Sequence, residues 1–293
     1  MAEIRRSGTW GSALSTDEFA AIRSAGFEPV GQVLGAAVYN IGYTGGYGCP
    51  GNWASGWSGG FLGALSGTTQ VSSRGGWGSY RPLIQAMYDA RRKAISRMIA
   101  ECAALGGHGV VGVSLTLGRF PLGGLEFKAI GTAVRGNGAV APAQPFSSDL
   151  SGQDFAKLIM AGWAPAGLAL GISIAARHDD WMTVMTRSWG AGNAEVAGYT
   201  DLVHTARHDA RVQLEADVAR LGADGVVIAT NTLHVGEREC PSQEGRKDHT
   251  AEVTIIGTAI ARFARSTATH PDVLAVLSLD PQRRQVARVR LGP

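Results

Sequence analysis

The sequence predicts an α+β protein that is built from two tandem copies of one domain. The segment Leu105–Val113 contains a helix end, a glycine turn and a short apolar strand, and Leu221–Ile228 repeats that order. Each is followed by a second apolar strand with the same Gly-Thr-Ala triplet, at Gly131–Ala133 and at Gly257–Ala259. Short apolar runs bounded by turn residues are typical of buried strands. We therefore expect two domains, each with its own core, which a length of 293 residues permits.

A short helix opens each copy. Ser15 and Glu18 have the spacing of a capping box, in which each side chain accepts a hydrogen bond from a backbone N–H of the other residue. Ser151 begins a similar motif 136 residues later. Gly26 and Gly162 have the same separation, and each predicts the left-handed residue that follows the end of a helix.

A strand and a long amphipathic helix follow in each copy. The predicted strands, Val33–Tyr39 and Leu168–Ala176, contain the small and aliphatic residues of a strand that is covered on both faces. The predicted helices end at Gly106 and Gly222. Apolar residues at helical spacing form one stripe on each helix: Met87, Ala90, Ala94, Met98, Cys102 and Leu105 in the first, and Ala206, Ala210, Leu214, Val218 and Leu221 in the second.

These patterns also set the boundaries of the domains. We predict an N-terminal segment (1–14), a first domain (15–135), a linker (136–150), a second domain (151–263) and a C-terminal tail (264–293). The linker is predicted because it is rich in Gly, Ala and Pro and has no apolar period. The apolar segment Val273–Leu279 of the tail could add a strand to a sheet edge of its own or another subunit, or be solvated.

The two copies differ in length at two places. The first copy has 20 extra residues before its long helix, and the second has 10 extra residues between its last two strands. We expect specificity to reside in these loops, 42–80 and 234–250, because loops tolerate insertion and carry function. The first loop combines glycine with six aromatic residues that are candidates for an interface: Tyr43, Tyr47, Trp53, Trp57, Phe61 and Trp77. They could pack on their own domain, between subunits, or against a ligand or a membrane surface.

Composition argues against several classes of protein. A net charge of +3 gives no electrostatic reason to expect nucleic-acid binding. No segment reaches the roughly 18 apolar residues of a transmembrane helix, and Met1–Arg6 is not followed by the apolar run of a secretory signal. Three cysteines without CxxC spacing fit a reducing compartment. We therefore expect a cytoplasmic protein without a transmembrane segment.

Four residues of the second copy form a candidate metal site. His204 and His208 are four residues apart on the predicted long helix, so both side chains can lie on one face. Cys240 and His249 lie in the longer turn of the same copy. Imidazole and thiolate groups bind divalent metals. The further candidate ligands are Asp201 and His178–Asp180. The alternatives are a polar helix face or a subunit contact for the histidine pair, and a solvated charged loop for the turn.

The sequence contains no catalytic motif that we can identify. It has no phosphate-binding loop, no Gly-x-Ser-x-Gly elbow and no HExxH motif. His108 lies in a tight turn where the second copy has Asp224, which favours a turn-forming role over a catalytic one. We therefore predict a protein that is not an enzyme, with no catalytic residues and no cofactor other than a candidate divalent metal.

The helix-to-strand junctions resemble those of the YbjQ family, which is named for heavy-metal binding. The resemblance rests on Ala103–Val113 with Gly131–Arg135, and on Arg220–Val227 with Gly257–Ile260. It implies α+β domains of antiparallel strands around one long helix, which form pentamers in which strands of neighbouring subunits complete the packing. We therefore expect a homo-oligomeric ring or shell with a structural or binding function. The alternative is a metal or small-ligand binding protein, and any other protein partner would bind the aromatic loop or the C-terminal tail.

Overall fold

The computed structural model shows a mixed α+β protein with two four-stranded sheets. It describes residues 11–40, 69–71, 80–120, 124–138, 141–188, 190, 192–240 and 247–263. These residues all belong to one compact unit, Met1–Phe263. We call residues 11–138 the first half and residues 141–263 the second half. The α+β class predicted from the sequence is confirmed.

The helices of the described residues are α1 (Thr16–Ser24), α2 (Arg81–Ala104), α3 (Gly152–Met160), α4 (Trp181–Thr186) and α5 (Ala197–Arg220). The strands are β1 (Phe27–Asn40), β2 (Thr69–Val71), β3 (Gly109–Phe120), β4 (Gly124–Gly136), β5 (Phe146–Ser147), β6 (Trp163–His178), β7 (Gly225–Glu239) and β8 (Lys247–Arg262).

The two sheets have related strand orders. The first sheet runs β1-β4-β3-β5 and the second runs β2-β6-β8-β7. In each sheet the three long strands pair antiparallel, with the last strand of the half in the middle of the three. The short strands β5 and β2 extend opposite ends of this order, since β5 pairs with β3 whereas β2 pairs with β6.

The predicted helix ends are present in both halves. Ser15 and Glu18 form the capping box of α1, and the side chain of Ser151 accepts a hydrogen bond from the backbone N–H of Asp154 at the start of α3. Gly26 and Gly162 have φ values of 83° and 86°, which favour glycine. These signals are local, so they could be identified from the sequence without knowledge of the fold.

Each long helix packs closely on one sheet. A methyl group on Gly35 would collide with the carbonyl oxygen of Ala94 in α2, and one on Gly171 would collide with that of Ala210 in α5. Glycine therefore lets the helix backbone lie directly against β1 in the first half and β6 in the second. The cores beneath the helices contain most of the predicted apolar stripes, including Met98 and Cys102 in the first and Leu214 in the second.

The predicted linker is partly ordered structure. Phe146 and Ser147 form β5, which pairs with β3 in parallel, and Leu150 is buried. The composition of residues 136–150 predicted a linker because a two-residue strand has no periodicity. The order comes instead from the backbone hydrogen bonds of β3, which lie in the other half of the chain.

The two segments of unequal length also carry strands. Thr69–Val71, within the predicted loop 42–80, forms β2 and pairs with Arg177–Ala175 of β6. The extra residues of the second half lengthen a hairpin, because β7 and β8 pair from Gly236 with Thr250 to Glu239 with Lys247. Much of the predicted loop 234–250 is therefore strand, and its ends are held by cross-strand hydrogen bonds.

Candidate functional site

A cluster of buried polar side chains lies where β6, β7 and β8 end together. His178 is the last residue of β6, and the antiparallel register places it opposite Asp248 of β8, 70 residues later in the sequence. Cys240 directly follows β7. All three residues are buried, and one metal-binding atom from each lies within 4.8 Å of the other two. The strand register therefore creates this cluster from residues that are distant in sequence.

Asp248 is the anion of the cluster. Its two carboxylate oxygens lie 2.8 Å from His178 Nδ1 and 3.3 Å from Arg238 Nη2. A carboxylate that is ionised only accepts hydrogen bonds, so His178 carries its proton on Nδ1 in this pairing. A histidine in this arrangement is fixed in orientation and tautomer, as in many metal sites where a carboxylate orients the ligating ring.

His249 lies on the next pair of the same strands but contacts other residues. Its Nδ1 lies 3.0 Å from Asp179 Oδ1 and its Nε2 lies 3.1 Å from Glu237 Oε2. The ring centroids of His249 and Tyr199 are 4.5 Å apart. A hydrogen bond from Lys247 lowers the pKa of Glu237, which keeps this carboxylate ionised. Both nitrogens of His249 therefore face carboxylates rather than the Cys240 cluster.

Arg177 connects the cluster region to β2. Its guanidinium lies 2.6 Å from Asp180, 3.1 Å from Asp201 and 3.2 Å from the Thr69 hydroxyl. Burial tends to raise the pKa of Asp180, but hydrogen bonds from Thr183 and the contact with Arg177 outweigh it, and the pKa is lowered. This network attaches a strand of the first half to the end of the second sheet.

The structure does not bring the four predicted metal residues together. His204 and His208 lie on the exposed face of α5, whereas Cys240 and His249 are buried at the end of the sheet. Within the part of the chain that the structure describes, the group of three or more potential ligands contains His178, Cys240 and Asp248.

The sequence identified Cys240 and named His178 as a further candidate ligand, but it did not group these two residues with Asp248. Helical spacing suggested that His204 and His208 act together, and His178 was considered only as a further ligand for that pair. The pairing of His178 with Asp248 depends on the register of β6 and β8, which is fixed by the whole length of the strands.

A second candidate site is the contact surface between the two halves. The segment Phe146–Leu150 lies along β3, where the backbone N–H groups of Gly112 and Val113 donate to the carbonyl oxygens of Leu150 and Ser148 at 3.0 and 2.9 Å. The same segment contacts the second sheet through Ser148 Oγ, which lies 3.0 Å from the hydroxyl of Thr258. These bonds join the two sheets at the edge of the first.

Helix α2 forms the rest of this contact. Ile84, Met87 and Tyr88 pack against a row of β6 side chains, Leu170, Ile172 and Ile174. The Tyr88 hydroxyl accepts a hydrogen bond from the backbone N–H of Ile172 at 2.8 Å. Burial raises the pKa of Tyr88 to about 12. The phenol is therefore neutral at physiological pH.

A polar groove lies between α2 and α5, with a volume of about 290 Å³. Its lining includes Arg81, Arg92 and Arg220. Arg92 and Arg220 both contact Asp217, at 3.0 and 2.7 Å. Asp217 also accepts the backbone N–H of Leu170. Asp217 therefore pairs with Arg92 and Arg220, and its ion pair with Arg92 stabilises the contact between the halves.

The six aromatic residues predicted for an interface, Tyr43, Tyr47, Trp53, Trp57, Phe61 and Trp77, lie outside the described residues. Their interface role stays a prediction, as do the roles of the C-terminal tail.

Comparison with known proteins places this architecture in a family. The model of the YbjQ family, described as "Putative heavy-metal-binding", matches residues 69–137. The chain is also 33% identical to the Encapsulin nanocompartment protein Rv1762c of Mycobacterium tuberculosis (strain ATCC 25618 / H37Rv), over 276 residues that cover 92% of this chain and 91% of that protein. The chain belongs to one family with this mycobacterial protein, and its residues 69–137 belong to the YbjQ family. The matched region includes α2, β3 and β4, where the resemblance of the first copy lies, and the resemblance of the second copy stays a prediction.

None of the helices in the described ranges is both long and apolar enough to cross a membrane.

Proposed function

We propose that this YbjQ-family protein is a structural protein, without enzymatic activity, that assembles with copies of itself into a ring or a closed shell. The mycobacterial relative that is named an encapsulin nanocompartment protein carries this proposal, because the similarity extends over 92% of this chain. A match of that extent includes both halves rather than one shared module. The nanocompartment in the name of the relative therefore supports a proposal for the whole chain.

The exposed apolar surface supports self-assembly. Leu34 and Val38 on β1 are each 48% exposed, and Val235 on β7 is 57% exposed. Apolar side chains grouped on strands commonly mark protein interfaces. In an assembly these side chains would be covered by neighbouring chains, which would stabilise the particle through the hydrophobic effect.

The proposal includes two tandem YbjQ-like domains, residues 15–135 and 151–263. The related strand orders and the equivalent glycine contacts of the two long helices support this division. We also propose a pentamer-based assembly, which follows from the family resemblance, and a cytoplasmic location. Cys102 and Cys240 are buried, and the three cysteines have no CxxC spacing, which fits a reducing compartment.

The mass of the purified protein tests the proposal directly. Mass photometry should show a discrete species at a whole multiple of the chain mass, and electron micrographs should show rings or closed particles. A single monomeric species across micromolar concentrations would refute self-assembly. Particles of undefined size that increase with time would indicate aggregation and would also count against it.

Metal binding in the second half is a second candidate function, and the buried His178, Cys240 and Asp248 cluster favours it. Thiolate and imidazole groups suit zinc and similar borderline metals. His178 and Cys240 would supply two of the ligands, because Asp248 is already hydrogen-bonded to His178 and paired with Arg238. The carboxylate would then orient the imidazole, in agreement with the usual role of such pairs.

Elemental analysis of protein purified under reducing conditions, with and without added Zn²⁺, tests this second function. We expect bound zinc that is lost in Cys240→Ala and in His178→Ala but retained in the pair His204→Ala/His208→Ala. Loss of zinc only in the double variant His204→Ala/His208→Ala would instead support a site on α5. Zinc-free protein whose melting temperature is unchanged by chelator or by added Zn²⁺ would exclude both sites.

A further inference from the structure

The two halves of the chain contact each other through unlike surfaces. The first half uses helix α2, the edge of β3, and Ile22 and Phe27 at the end of the sheet, whereas the second half uses one face of β6, the segment 146–150 and helix α3. Helices α1 and α3 are equivalent, but Glu18 in the first turn of α1 accepts a hydrogen bond from the backbone N–H of Gly152 at the start of α3, so the contacting surfaces differ. A contact between unlike surfaces leaves each half with the surface that the other half uses. The first half should thus keep an unused counterpart of the β6 face, and the second half an unused counterpart of α2 and β3.

Equivalent hydrogen bonds identify these counterparts. The backbone N–H of Leu34 in β1 donates to Glu101 of α2 at 2.7 Å, and that of Leu170 in β6 donates to Asp217 of α5 at 3.0 Å. Leu170 follows Leu34 by 136 residues, and Asp217 follows Glu101 by 116 residues. Strand β1 therefore corresponds to β6, and helix α2 corresponds to α5.

The segments that precede the two short helices correspond in the same way. The backbone N–H of Ala13 donates to the hydroxyl of Thr132 in β4, and that of Asp149 donates to the hydroxyl of Thr258 in β8. Residues 11–14 therefore occupy on the first sheet the position that residues 147–150 occupy on the second. The second of these segments also binds the edge of β3, as described above.

The counterpart face on β1 is exposed. Leu170 and Ile174 of β6 are 1% and 5% exposed beneath α2, whereas their equivalents Leu34 and Val38 are both 48% exposed. The two strands carry similar aliphatic side chains on this face. The difference in exposure arises because a helix covers β6 and no described helix of this chain covers the same face of β1.

The counterpart surface on the second half is exposed as well. Val111 of β3 is fully buried beneath Leu150 and Phe155, but its equivalent on β7, Val227, is 37% exposed. Met87 of α2 is 5% exposed, and its equivalent on α5, Val203, is only half-buried. Edge strand β7 therefore has an exposed apolar side chain at the position where its equivalent, β3, is covered by Leu150 of the segment 146–150.

We infer that a second copy of this chain binds here, head to tail. Helix α5 and the β7 edge of one chain would cover the β1 face and residues 11–14 of the next chain. The contact would repeat the one that joins the two halves within each chain. This inference rests on the proposed self-assembly and assigns the surfaces that carry it.

The internal contact predicts pairs of residues across the interface. Tyr88 contacts the backbone of Ile172, so His204 would approach Ala36 of the next chain. Arg92 forms an ion pair with Asp217 at 3.0 Å, so His208 would approach Glu101 of the next chain. This placement gives the two exposed histidines of α5 a role in a subunit contact.

Head-to-tail contacts have a consequence for the assembly. They close into a ring when the rotation per contact permits, and form open filaments when it does not. Every chain contributes two halves, so a closed ring contains an even number of halves. A ring of five chains would contain ten halves.

Two interface variants and one control test the inference. The head variant, Leu34→Asp/Val38→Asp, places charge on the β1 face, and the tail variant, Val203→Asp/Val227→Asp, places charge on α5 and β7. The control is Leu117→Asp/Leu233→Asp. These two leucines occupy equivalent positions of β3 and β7 and are 49% and 44% exposed, so about half of the Leu117 side chain stays outside the internal contact.

Mass photometry should show monomers for the head variant alone and for the tail variant alone, and wild-type particles for the control. An equimolar mixture of the head and tail variants should form a dimer with one chain of each, because each variant retains one intact surface and they are complementary. Dimer formation would also show that both variants are folded. Lysine in place of aspartate at the same positions provides a second pair of variants.

The outcomes separate this inference from the proposed function. A monomeric wild-type protein would refute both. Wild-type particles that persist in the head and tail variants would leave self-assembly intact and refute this interface. Monomeric variants that keep the circular dichroism spectrum and melting behaviour of the wild-type chain, yet form no mixed dimer, would refute the head-to-tail arrangement.

Discussion

The hydroxyl of Tyr88 lies 2.8 Å from the backbone nitrogen of Ile172 and joins the long helix of the first half to a strand of the second. The same hydroxyl lies 3.4 Å from the carbonyl oxygen of Leu170. Tyr88 is buried, so water cannot replace it as the partner of the Ile172 N–H. One side chain thereby satisfies a strand donor at the centre of the contact between the halves.

We expect Tyr88→Phe to destabilise the chain by about 1–3 kcal/mol, because it leaves the Ile172 N–H buried without its partner. Tyr39→Phe is the control, since Tyr39 is half-buried on β1 and packs its ring on Phe127. Chemical unfolding at one fixed protein concentration measures both. Equal stability of the two variants would show that the Tyr88 hydroxyl contributes nothing measurable.

Glycine at position 171 is required by the approach of α5. A methyl group there would meet the carbonyl oxygen of Ala210, which is backbone and cannot rotate away. We expect Gly171→Ala to cost about 2–3 kcal/mol or more, as overpacking of a core does, and Gly35→Ala to behave similarly against α2. Gly118→Ala is the control, because the nearest atom to its new methyl would be 3.8 Å away on Glu126.

Thermal and chemical unfolding should show Gly171→Ala and Gly35→Ala to be less stable than Gly118→Ala. If Gly171→Ala unfolded at the same denaturant concentration as Gly118→Ala, the helix and strand would have to be farther apart in solution than in the structure.

The helix ends and apolar stripes could be predicted because their causes are local. The Ser15 and Glu18 capping box acts over a single turn, and the stripe that includes Met98 follows from helical geometry alone. Strand β1 begins at Phe27, before the predicted start at Val33. The structure places Pro29 next to a shift in register, where a missing N–H is tolerated.

The contacts between distant segments could not be predicted from one sequence. His178 and Asp248 meet through the register of two strands, and Phe146–Ser147 becomes a strand only because β3 supplies hydrogen bonds. The spacing of His204 and His208 correctly placed them on one helix but did not show what that face contacts. Tertiary register, rather than local pattern, determines each of these features.

Cys102 should make stability depend on pH in the alkaline range. Burial raises the pKa of its thiol to about 11 in the folded chain. The unfolded chain loses this proton at a lower pH, so it binds fewer protons than the folded chain between about pH 9 and 11. Stability should therefore decrease as pH rises through this window, by up to about 2–3 kcal/mol from this group.

Chemical unfolding between pH 8 and about 10 tests this expectation before the higher pKa of Tyr88 contributes fully. The decrease in stability should be smaller in Cys102→Ala than in the wild-type chain. Over the lower part of the pH range, Tyr88→Phe should show the same decrease as the wild-type chain. An equal decrease in Cys102→Ala and wild type would assign the effect to other groups.

Asp248 is the position in the polar cluster where the loss of charge should have the largest effect. Its carboxylate is fully buried and faces both His178 and Arg238. Asp248→Asn preserves the shape but removes the anion, which leaves the Arg238 cation beside a neutral amide. Removal of one partner from a buried ion pair commonly costs 3–5 kcal/mol. Arg238 is 31% exposed, so we expect a smaller loss of about 2–4 kcal/mol.

The control for this variant is Glu239→Gln, one residue beyond Arg238 and exposed on β7, which should change stability by less than about 0.5 kcal/mol. A double-mutant cycle with Arg238→Ala separates the ion pair from the His178 hydrogen bond. If Asp248→Asn costs the same with and without Arg238, the aspartate acts only through His178. A loss no larger than that of Glu239→Gln would show that the buried carboxylate does not stabilise the end of the second sheet.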